Sequence, residues 1–148
     1  MARTVETFIG TFGRDKGKTF ILTEMFSRPG HKWACRALFA MGAAGASIPD
    51  NIASAGMAGL AVMGLNAFMA GIPFESAEPL LDEMLECVTI TYEPNKPGME
   101  RRIFWDTDVE EISTVFQLQK AVFLMHTRPF TSELQSTSES EAKVPAQS

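Results

Sequence analysis

Thr7-Phe8-Ile9-Gly10-Thr11-Phe12 and Thr19-Phe20-Ile21-Leu22-Thr23 flank the polar stretch Gly13-Arg14-Asp15-Lys16-Gly17-Lys18. The first flank places Phe8 and Phe12 on one face, the period of a half-buried strand, and the apolar run of the second answers it. Two glycines able to take positive φ sit between them, so residues 5–24 are predicted to form a β-hairpin. Arg14, Lys16 and Lys18 make its tip a small basic knob. The same turn imitates a phosphate-binding loop, because Gly13 to Thr19 is one residue short of G-x-x-x-x-G-K-[ST]. Thr19, however, opens a strand where that motif needs a helix N-terminus facing the anion. A hairpin turn is the expectation, and nucleotide binding is set aside.

Outward from the hairpin the pattern turns helical. A helix is predicted from about His31 to Gly42, with Trp33, Ala37, Leu38 and Met41 on one stripe. A second is predicted over about Asn51–Ala70, where Ile52–Gly71 carries no charge and half of residues 42–71 are Ala or Gly. That run is long enough for a membrane span, but it has few Leu or Ile and no flanking Trp, Tyr, Lys or Arg. A tightly packed central helix is the preferred reading. A third helix enters at Phe74-Glu75-Ser76-Ala77-Glu78-Pro79, buries Leu80, Leu81, Met84, Leu85 and Val88, and exposes Asp82, Glu83 and Glu86 as an acidic ridge. Val88–Tyr92 and Arg102–Trp105 form a second hairpin around Pro94–Gly98. Thr107-Asp108-Val109-Glu110 reads as a capping box. It opens a fourth helix with Ile112, Val115, Phe116, Val122 and Phe123 inward, ending at Pro129. The expected fold is therefore α+β: a mainly helical single domain over residues 1–130, with about four helices and two β-hairpins. A disordered C-terminal tail is expected over residues 131–148, which are rich in Ser, Glu and Gln.

The chain has 148 residues and a formal net charge of −5, with 45% hydrophobic residues. That composition supports a core and argues against a general binder of nucleic acid or anionic membrane. Two cysteines exclude a disulfide scaffold. Met1–Thr7 contains no apolar run, so no signal peptide is expected. Charge is segregated: residues 1–36 sum to +4, residues 37–95 contain seven acids and no base, and residues 96–148 sum to −2. Attraction between a basic end and an acidic middle is open both within one chain and between copies.

Catalytic chemistry finds little purchase. His31 and Cys35 are four apart, but only Cys87 and His126 remain as further soft ligands, on other elements, so no metal site is expected. Neither cysteine lies in a recognisable nucleophile turn. The acids at Asp106–Glu111 lack the glycine and frame of a calcium loop and are expected to be solvated faces and caps. No catalytic residue, metal or cofactor is nominated. Met57, Leu60, Met63, Phe68 and Met69 are nominated instead as an adaptable partner-binding surface, with core gap-filling as the competing reading.

Several segments, in order, resemble the tail assembly chaperones of bacteriophages that use tape-measure proteins. They are Gly13-Arg-Asp-Lys-Gly-Lys-x-Phe20-x-Leu-Thr-Glu-Met25, Lys32-Trp33-Ala-x-Arg36-Ala-Leu38 and Ile48-Pro-Asp-x-Ile52-Ala-x-Ala-Gly56-Met-Ala-Gly59-Leu60. Pro73-Phe74-Glu-x-Ala-Glu-Pro79-Leu-Leu-Asp-Glu83 and Asp108-Val-Glu-Glu-Ile112 follow. The likeness spans roughly residues 8–128. It implies a non-catalytic protein of the host cytoplasm, absent from the mature virion, which binds the tape-measure protein and helps recruit tail-tube subunits. The short polar tail suits the unextended form of such a chaperone. Partners implied are the tape-measure and tail-tube proteins, with self-association as a further option and neither nucleic acid nor membrane. From the residues alone, Asp82, Glu83 and Glu86 are candidates to meet a basic partner, such as the Arg14–Lys18 knob of another copy. A holin-like membrane protein built on residues 52–71 and a structural tail completion or terminator protein stand as alternatives.

Overall fold

The structure, a computed structural model, describes residues 3–43 and 71–143, with side chains as far as Arg128. Strand β1 (Val5–Ile9) and strand β2 (Thr19–Thr23) flank a short 3-10 turn at Gly13–Asp15. Helix α1 (Ser27–Ala43) follows, then helix α2 (Phe74–Leu85), strand β3 (Val88–Thr91), strand β4 (Arg101–Arg102) and helix α3 (Ile112–Lys143). The strands form one antiparallel sheet in the order β1-β2-β3-β4. The two hairpins expected from sequence are thus fused through the β2–β3 pair. The second predicted helix, over 51–70, lies outside the described residues.

Register explains the single-sided core. Phe8 pairs with Phe20, Phe20 with Ile90 and Leu22 with Val88, so one face of the pleat is apolar across three strands. The opposite face carries Val5, Thr7 and Ile9 of β1, all exposed. On the apolar face rest Trp33, Ala37, Leu38 and Met41 of α1, as its periodicity predicts, with Leu80, Leu81 and Met84 of α2 and Leu118, Val122 and Phe123 of α3. Trp33 is 2% exposed, donates its indole N–H to the Leu80 carbonyl at 2.9 Å, and meets Phe123 edge-on. It therefore joins all three helices through one side chain.

Four expectations need correction. Helix α1 begins at Ser27, not His31. Pro29 fits its first turn, where the missing N–H is an orphan in any case. Pro79 is not in the first turn of α2, which opens after Pro73, but in its interior. Helix α3 runs through Pro129 to Lys143, past the end expected at Pro129. Its inward stripe is Thr114, Leu118, Val122 and Met125, one helical face at spacings of four, four and three. Ile112 and Phe116 are each two residues off that stripe, about 200° around the helix, and so point outward. They are 79% and 60% exposed.

Candidate functional site

The basic knob is the first candidate to place. Asp15, at the end of the 3-10 turn, is fully buried. Its carboxylate accepts the backbone N–H groups of Glu110 (2.9 Å) and Glu111 (2.9 Å) and an ammonium proton from Lys18 (3.0 Å). Desolvation alone would raise its pKa. Hydrogen bonds from the Thr114 hydroxyl, the two backbone amides and Lys18 outweigh that and hold it down at about 2. Lys18 also donates to the Asp108 carbonyl at 2.8 Å and pairs with Glu110 at 3.2 Å. Arg14 donates to Glu111 at 2.8 Å and to the Glu110 carbonyl at 3.0 Å. Two of the three knob cations are therefore engaged within the chain, across more than 90 residues, and Lys16 alone is exposed without an ion pair among the described residues.

This cluster replaces the predicted capping box. Residues 105–108 form a turn, and the entrance of α3 is held by Asp15 from another element rather than by Thr107. Asp108, expected on a solvated face, is buried. It takes both guanidinium N–H groups of Arg101 (2.8 and 2.9 Å), the Tyr92 hydroxyl (2.8 Å) and the Phe104 amide (2.8 Å). The Arg101 hydrogen bonds prevail over burial and hold the Asp108 carboxyl far below the usual range. The Phe104 amide, committed to Asp108, is unavailable to the sheet, and β4 ends at Arg102 where a strand to Trp105 was expected. Both carboxylates are structural clasps.

The acidic ridge divides. Glu83 is ion-paired with Arg36 of α1 at 2.6 Å. Asp82 and Glu86, one turn apart, are exposed and carry no ion pair among the described residues. They form one wall of a groove of about 940 Å³ whose other lining includes Leu85, Val88, Ile103, Trp105 and Val115, with Arg102 on the β4 side. Sequence reasoning finds the acids but not the groove, because Trp105 and Val115 come from separate elements. The candidate residues Met57, Leu60, Met63, Phe68 and Met69 lie outside the described residues.

A second hollow, of about 280 Å³, is lined by Arg3, Glu24, Met25, Phe26, Glu86 and Cys87 among others, and no histidine lines it. Burial first, then the Glu86 and Glu83 charges, push the Cys87 thiol up to about 11, so it is protonated at neutral pH. His126 is committed elsewhere. Its Nε2 accepts the Met25 N–H at 2.9 Å, which places the proton on Nδ1, facing the Val122 carbonyl at 2.9 Å. His31 and Cys35 do approach, at 3.6 Å on the outer side of α1, but no group of three metal-capable side chains occurs among the described residues. Among those residues, too, no helix is long and apolar enough to cross a membrane. No family model matches the chain, and neither a curated protein nor a solved structure matches it.

Proposed function

We propose that the chain is a non-catalytic phage tail assembly chaperone, which binds the tape-measure protein and helps recruit tail-tube subunits in the host cytoplasm. The observation that carries this reading is the outward display of large apolar side chains among the described residues. Ile112 is 79% exposed, Phe39 77%, Phe74 69% and Phe116 60%, on three different helices. A protein that holds an aggregation-prone client needs dispersed apolar contacts of this kind more than aligned acids and bases. The ordered segments resembling tail assembly chaperones point the same way. The buried carboxylates are consumed by clasps, and the Cys87 thiol is protonated, so neither offers a nucleophile or base to a substrate.

Co-expression with the product of the next long downstream gene tests the proposal. The expected result is transfer of that product from the insoluble to the soluble fraction and its co-purification with this chain. A client that stays insoluble while this protein remains soluble would overturn the reading and favour a structural role in the tail.

A further inference from the structure

The end of α2 is charged against its own dipole. Asp82 and Glu83 lie in the last turn and Glu86 caps it, with no base in that turn to offset the negative end of the helix. Glu83 has Arg36 of α1 as a partner, but Asp82 and Glu86 are exposed and carry no ion pair among the described residues. Stability alone would favour a lysine at either position. Both acids instead border the groove of about 940 Å³, whose apolar lining is Leu85, Val88, Ile103, Val115 and Trp105, the last 38% exposed. Glu86 and Thr89 also line the hollow of about 280 Å³ beside Met25 and Phe26, so the two depressions adjoin where α2 gives way to β3.

We propose that this groove docks a basic amphipathic helix of the client, which sets two Lys or Arg side chains, four residues apart, on Asp82 and Glu86. An aromatic or aliphatic side chain of the same face then lies beside Trp105. The source of that helix rests on the chaperone reading. Asp82 and Glu86 are themselves four positions apart, about 6 Å along the chain axis, the rise that a helix laid alongside offers between residues i and i+4. Lysine or arginine heads reach the carboxylates while their stems cover Leu85 and Val88. Two unpaired carboxylates at a negative helix end outweigh the single Arg102 on the β4 side, so the occupant is a cation. The hairpin tip does not supply it, since Arg14 and Lys18 already have partners within the chain. Exposed Ile112, Phe39, Phe74 and Phe116 accept apolar surface of any sequence. The groove selects by sign, and so gives the chaperone a preference among client segments.

Fluorescence anisotropy with the full chain tests this on two kinds of probe. One is a set of labelled peptides of about 20 residues, about 30 Å of helix, that tile the product of the next long downstream gene. The other is a designed amphipathic helix, unrelated to any client, with two lysines four residues apart and a tryptophan on the same face. The designed helix is expected to bind, the tiling peptides that bind should carry the same pattern, and affinity should fall as salt rises. Asp82→Lys with Glu86→Lys should weaken both by more than about tenfold. A designed helix with glutamates in place of its lysines should bind that variant and not the wild type. The reversal should leave Tm unchanged or higher, because lysines suit a helix C-terminus, so lost binding is not lost fold. Trp105→Ser should weaken binding without altering charge, with circular dichroism as the check on folding. A designed helix that does not bind, tiling peptides that bind without the basic pair, or a glutamate helix that fails on the reversed protein would each overturn the proposal. So would binding that declines as the chain itself is concentrated, which would give the groove to a second copy. Co-expression reads the chaperone role separately. A rescued client with the designed helix unbound defeats the groove alone, whereas a bound designed helix with the client unrescued defeats the chaperone reading and with it the client as source.

Discussion

Asp15 concentrates more of the structure in one carboxylate than any other side chain described. Its folded pKa, about 2, lies below the ordinary 3.8, so the ionised form favours the folded state. The contribution is complete above about pH 4 and is lost as pH falls toward 2. Asp15→Asn keeps one acceptor but surrenders the charge. We expect it to cost about 1–3 kcal/mol at neutral pH. In acid unfolding followed by circular dichroism, the variant should lose much less stability than the wild type over that same window. Gly10 is as unforgiving for a steric reason. A β-carbon there would overlap the Asp15 carbonyl oxygen, which is backbone and has nowhere to go. Gly10→Ala should lower Tm far more than Gly17→Ala. The Gly17 site is open, and only its positive φ of 86° opposes a side chain.

At the scale of elements, His126 fastens α3 to the link between β2 and α1. Removing the imidazole in His126→Ala leaves the Met25 N–H without its acceptor, and a loss of about 1–3 kcal/mol is expected in denaturant unfolding. Pro79 works in the other direction. It withholds an N–H from the Glu75 carbonyl inside α2 while its own side chain is exposed, so Pro79→Ala should raise Tm. These elements also show what could be read from the sequence. The alternation around Phe20 and the stripe from Trp33 to Met41 are local patterns, and the β1–β2 hairpin and the buried face of α1 follow from them. The entrance of α3 was not legible. A local capping box is a reasonable reading of Thr107–Glu110, but a carboxylate 95 residues away took the amides. No period or motif announces such a contact. The outward turn of Ile112 and Phe116 follows from the same fact, because Thr114 faces Asp15 and thereby fixes the phase of the helix. The groove is similarly non-local, made of an acidic ridge visible in the sequence and a tryptophan from a turn that is not.

For the molecule as a whole, the sheet buries one face under three helices, yet those helices keep aromatic and aliphatic side chains in water. A domain selected for stability alone gains nothing from Ile112 and Phe116 outside, since both sit about 200° from the buried stripe of α3. Single exposed apolar residues are ordinary, but two on successive turns of a helix whose inward face is already filled form a coherent strip. If that strip meets the client, Ile112→Ser with Phe116→Ser should change thermal stability little, because surface substitutions of this kind are usually worth under about 0.5 kcal/mol each. The same pair should sharply lower the amount of soluble tape-measure protein recovered in co-expression. Equal recovery with unchanged Tm would remove the strip from the client-binding surface. A large fall in Tm would show instead that the two side chains are covered in the folded protein. Stability and recovery respond separately because the strip of Ile112 and Phe116 belongs to the surface and the stripe from Thr114 to Met125 belongs to the core.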